Sequence, residues 1–87
     1  ITDKQEIDFP VSLNKGEIII DLSWNDAADL DLYLLNNRNR IVGRSTTTTP
    51  GEQIIKGVKA GDYVIKVYSY SGDASSFCVS LSGSAAP

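Results

Sequence analysis

Asn25, Asp26, Asp29 and Asp31 put four oxygen-bearing side chains within seven residues. Calcium takes about six to eight oxygen ligands from carboxylates, amide oxygens, carbonyls and water, and this cluster offers oxygens of that kind. The spacing is not that of an EF-hand loop and lacks its glycine. A plainer reading is that the aspartates keep an exposed sheet face solvated while Asn25 and Asp26 make a turn. A second group is aromatic. Tyr33, Tyr68 and Tyr70 fall by alternation on the outward faces of their strands. Tyrosines give contact area at little entropic cost, so such a face can bind a peptide or a sugar. Cross-strand tyrosines also simply stabilise a sheet.

Other residues read as chemically quiet. The chain has no histidine, so no serine or cysteine has the usual general base, and the usual zinc ligand is missing. Asp29 and Asp31 are two apart on one strand, with Cβ atoms roughly 7 Å apart, and resemble ion ligands or solvated charges more than an acid and a nucleophile. No glycine-rich phosphate loop is present. Cys78 has no cation beside it in sequence to lower its pKa and reads as an inert, partly covered thiol. Arg38, Arg40 and Arg44 form a small basic patch read as solvated turn charges. The run from Thr46 to Thr49 reads as a plain extended loop. The expectation is a domain without catalytic activity.

Strands must position these groups. Residues 29–35 alternate, with Leu30, Leu32 and Leu34 on one face and Asp29, Asp31 and Tyr33 on the other. Residues 17–24 alternate likewise, with Ile18, Ile20, Leu22 and Trp24 inward. Further strands are expected at 3–13, 40–44, 52–58, 63–70 and 75–81. Pro10 in the first cannot donate to a ladder, which predicts an edge strand. Turns rich in Gly and Asn separate them, and no stretch keeps a helical period. This spacing predicts a small all-β, antiparallel β-sandwich of about seven to eight strands. The predicted core is Ile18, Ile20, Leu22, Trp24, Leu30, Leu32, Leu34, Tyr63, Ile65, Val67, Phe77, Val79 and Leu81.

With 87 residues the chain is one domain, residues 1–87, with 1–4 expected as linker and 83–87 as a frayed tail. Eleven acidic residues against eight basic ones give a net charge of −3. That argues against nucleic acid and anionic membranes as partners. One cysteine allows no internal disulfide. The chain opens at Ile1 and contains no methionine, which suggests a processed or excised piece of a longer protein.

The order of a Trp-ended strand, then ADLDLYLLNNRNRIVGRS, then KAGDYVIKVYSYSGDASSFCVSLSG resembles the bacterial and archaeal pre-peptidase C-terminal domain. The likeness runs from about Gln5 to Ser82. It is strongest at Asp29 to Leu34 and at Ala60 to Val67. Residues 36–39 stand where the family usually has a Pro/Asp/Gly turn. The resemblance implies a jelly-roll-like sandwich appended to a secreted hydrolase, most often a protease, with the parent catalytic domain as partner. It implies an extracellular location and stabilisation or positioning of the parent, with calcium as a candidate cofactor; the isolated chain is separately expected to be monomeric. The related collagen-binding domains of clostridial collagenases use a tyrosine-lined surface. This suggests the rival role of targeting collagen-like protein or polysaccharide.

Overall fold

The alternating apolar residues of seven strands face one another across two antiparallel sheets. The computed structural model describes residues 1–24, 27–46 and 51–87. Its strands are β1 (Glu6–Leu13), β2 (Gly16–Trp24), β3 (Asp29–Leu35), β4 (Ile41–Ser45), β5 (Glu52–Val58), β6 (Gly61–Ser71) and β7 (Phe77–Ser82). One sheet has the order β1-β6-β3-β4 and the other β5-β2-β7. Every link between consecutive strands crosses from one sheet to the other, except the β3–β4 hairpin. The chain is thus the small all-β sandwich its alternation predicts.

The inward faces close on each other as β-strand periodicity requires. Ile18, Ile20, Leu22, Trp24, Leu30, Leu32, Leu34, Ile65 and Val67 are buried, as expected, and Leu13, Ile54, Ala74 and Ala85 join them. Tyr63, Phe77, Val79 and Leu81 are only half-buried against that core. Phe77, Val79 and Leu81 lie at the open side of the sandwich, where Phe9 of edge strand β1 meets Phe77 of edge strand β7 edge-on, with ring centroids 6.2 Å apart, and Tyr63 lies by the β5–β6 turn. Pro10 sits on β1, an edge strand as predicted, with no ladder hydrogen bond to lose on its open side. Cys78, expected to be partly covered, is exposed on β7, on the face opposite to half-buried Phe77, Val79 and Leu81.

The two ends differ from the expected linker and frayed tail. Ala85 is fully buried, and its N–H donates to the Glu17 carbonyl at 3.0 Å. Gly83 lies at φ 94, where a Cβ would collide with the Glu17 carbonyl oxygen, so only glycine lets the tail turn onto β2. At the other end, Ile1 and Ala74 exchange two backbone hydrogen bonds of 3.0 and 2.9 Å. The first strand begins at Glu6 rather than residue 3 because residues 2–5 form a tight turn. Gln5 N–H donates to the Thr2 carbonyl, its side-chain oxygen accepts from Thr2 N–H, and Lys4 adopts φ 63.

Candidate metal centre and tyrosine groove

The outward face of β3 carries Asp29, Asp31 and Tyr33 between β6 on one side and β4 on the other. Asp31 lies opposite Tyr68, Tyr33 opposite Lys66, and Asp29 opposite Ser71 across a register irregularity. The chain enters β3 from a tied position, because the Trp24 indole N–H donates to the Ala28 carbonyl at 2.7 Å. Strand β4 stops at Ser45, one residue short of covering Asp31, since Ser45 pairs with Leu32. Glu52, the first residue of β5 in the other sheet, reaches into that opening. The Ser45 hydroxyl donates to Glu52 Oε2.

One oxygen from each of Asp29, Asp31 and Glu52 lies within 4.8 Å of the others. Asp31 and Glu52 are buried, at 5% and 4% exposure. Asp29 Oδ1 is also shielded from solvent and accepts no hydrogen bond from the described residues. Burial, and after it the charges of Asp29 and Glu52, push the Asp31 carboxyl up to about 6. Two full charges at this separation repel by about 3 kcal/mol at an effective dielectric of about 20. A single hydrogen bond returns about 1 kcal/mol. A proton or a cation held among the three carboxylates would relieve this repulsion. Its donors are all hard carboxylate oxygens, which suits calcium or magnesium and not zinc or copper.

The predicted tyrosines share this location. Asp29, Asp31, Tyr33, Tyr68 and Tyr70 line one groove of about 600 Å³. Tyr70 is 57% exposed, and the Lys4 ammonium stands 4.7 Å from its ring centroid, a cation–π contact. Burial, and then the charge of Asp31, push the Tyr33 phenol up, so it remains a hydrogen-bond donor at neutral pH.

Of the residues singled out in the sequence, Asp29 and Asp31 come together with the three tyrosines. Asn25 and Asp26 lie outside the described residues, as do Thr47, Thr48 and Thr49. Glu52 escaped the sequence reading. Its signal was the register it shares with buried Ile54, which aims a carboxylate inward at a strand end. The expected arginine patch divides: Arg44 borders the tyrosine groove, whereas Arg38 and Arg40 face Lys59 at the far end of the sandwich.

Comparison with known proteins adds no identity to this geometry. No family model matches the chain, and none of the curated proteins matches it.

Proposed function

We propose that the chain is a non-catalytic accessory module of an exported hydrolase, stabilised by a calcium ion at Asp29, Asp31 and Glu52. The observation that carries the calcium reading is the largely buried carboxylate trio, in which one Asp29 oxygen has no partner among the described residues. The accessory role rests on the sequence resemblance to pre-peptidase C-terminal domains. On this reading β3 and β5, from different sheets, each supply ligands, so the ion cross-links the sandwich at the opening left by β4. Backbone carbonyls and water complete the coordination shell. The module acts outside the cell as a monomeric extension of its catalytic partner.

Millimolar calcium is expected to raise the melting temperature, and chelator to reverse the rise. The linkage gain is about 2.7 kcal/mol at a hundredfold excess over Kd. Sodium chloride at equal ionic strength should not reproduce it. Asp29→Asn should weaken the response. Asp73→Asn should not, because Asp73 is outside the trio and instead accepts a 2.7 Å hydrogen bond from Asp3 N–H. Equal effects of the two salts would refute the metal site.

The shared groove favours a second reading, in which Tyr33, Tyr68 and Tyr70 target the parent enzyme to a collagen-like protein or polysaccharide. The isolated chain should then be retained by the insoluble polymer in a pull-down. A Tyr68→Ala, Tyr70→Ala variant should lose most of that retention. Retention by neither collagen nor polysaccharide would leave the module a purely stabilising one.

A further inference from the structure

Cations outnumber carboxylates at one end of the molecule, where Asp62 and Glu17 are the nearby acids, whereas Lys4 and Arg44 lie toward the other end. Pairing of Leu13 with Gly61, of Gly16 with Val58, and of Leu35 with Ile41 and Val64 brings the β1–β2, β3–β4 and β5–β6 turns to one end. These turns carry Lys15, Arg38, Arg40 and Lys59. The carboxylate trio belongs to the opposite end, with Asp3 and Asp73. The molecule is 35 Å long, and charges are screened over about 8 Å at physiological salt. The basic end therefore acts on nearby anions almost independently of the net charge of −3.

Arg38, Arg40 and Lys59 surround a concavity of about 390 Å³ that also includes Asp62 and Tyr63. Among the described residues the ion pairs are those of Lys66 with Glu6 and Asp8, so none of these three cations has a carboxylate partner. Asp62 is engaged by the Ser12 hydroxyl at 2.8 Å. The arginines stand on an ordered turn. Asn36 Oδ1 accepts from Arg38 N–H and Arg40 N–H at 2.9 and 3.0 Å, and Asn39 adopts φ 60. Tyr63 donates its hydroxyl to the Lys59 carbonyl at 2.8 Å, which holds its ring at the rim. Two guanidinium forks and an ammonium match carboxylate or sulfate groups. A fixed tyrosine ring beside them offers a flat surface for a sugar.

We propose that this end of the sandwich binds an acidic polysaccharide, recognising its carboxylate or sulfate groups through Arg38, Arg40 and Lys59 beside Tyr63. The acidic remainder of the surface repels a polyanion laid along the body, so the site takes a short segment rather than a long uniform track.

Calorimetric titration of the 87-residue chain tests this with a heparin-derived hexasaccharide, a galacturonate hexamer, inorganic sulfate and hexaglutamate. Binding of either saccharide is expected at low salt, weakening as salt rises; the two distinguish sulfate from carboxylate recognition. The triple variant Arg38→Gln, Arg40→Gln, Lys59→Gln should bind at least about tenfold more weakly. The charge-matched triple Lys4→Gln, Arg44→Gln, Lys66→Gln should stay within about twofold. Circular dichroism checks that both remain folded. Equal losses in the two triples, no saccharide binding at low salt, or equally tight binding of hexaglutamate or sulfate alone would overturn the proposal. So would salt-sensitive self-association in place of saccharide binding, which would assign this end to a second copy.

Discussion

Leu32→Ala is expected to cost about 2–5 kcal/mol, the range for a large-to-small change at a buried site. Leu32 is fully buried in the middle of β3, between Val67 of β6 and Ser45 of β4. Both neighbouring strands hold its backbone, so the sheet cannot easily collapse into the space left behind. A domain of this size has a total stability of about 4–13 kcal/mol, so the change removes a large part of it. Ile55 gives the contrast. It neighbours buried Ile54 in sequence but points outward at 57% exposure, and Ile55→Ala should stay within about 0.5 kcal/mol. Urea unfolding of both variants measures the difference. A loss below about 0.5 kcal/mol for Leu32→Ala would contradict the assignment of the inward face.

The strands were legible because period-two alternation is a local property of the chain. Leu30, Leu32 and Leu34 point inward whatever their neighbours are, and residues 29–35 and 52–58 match β3 and β5 in full. What alternation does not contain is the pairing of strands distant in sequence. Glu52 meets Asp29 and Asp31 only because β4 ends early and β5 lies in the opposite sheet. For the same reason Arg38 and Arg40 sit with Lys59 and not with Arg44, their nearer neighbour in sequence. The C-terminal tail was expected to fray because its residues are small, yet Ala85 is buried against the core. Ala74 and Ala85 are small because they are enclosed.

Without metal, stability is expected to fall as pH rises from about 4 to about 6. The Asp31 carboxyl is pushed from 3.8 to about 6 in the folded chain, so between these values the folded state holds more protons than the unfolded one. The stabilisation is fully present below the unfolded pKa and is lost as pH passes through the folded one. At about 1.4 kcal/mol per pKa unit, the loss is about 3 kcal/mol. Other carboxylates titrate in the same range, so the informative quantity is the difference from Asp31→Asn, which has no charge to lose. In chelator at pH 4 the two proteins should melt together. At pH 7 the variant should melt higher by about 10 °C or more. Calcium should reverse that order, since it needs the carboxylate ionised. Parallel pH profiles for the two proteins in chelator would contradict the proton-holding role of Asp31.

The central claim is that carboxylates from both sheets hold one calcium ion, and calcium titration of the wild-type chain and Glu52→Gln by calorimetry tests it most directly. Glu52 is the informative position because it is remote in sequence from Asp29 and Asp31 and joins them only through the fold. The account predicts one calcium per wild-type chain and at least about tenfold weaker binding by Glu52→Gln, whose melting temperature in chelator should not fall. No binding at millimolar calcium, or unchanged affinity in Glu52→Gln, would contradict it.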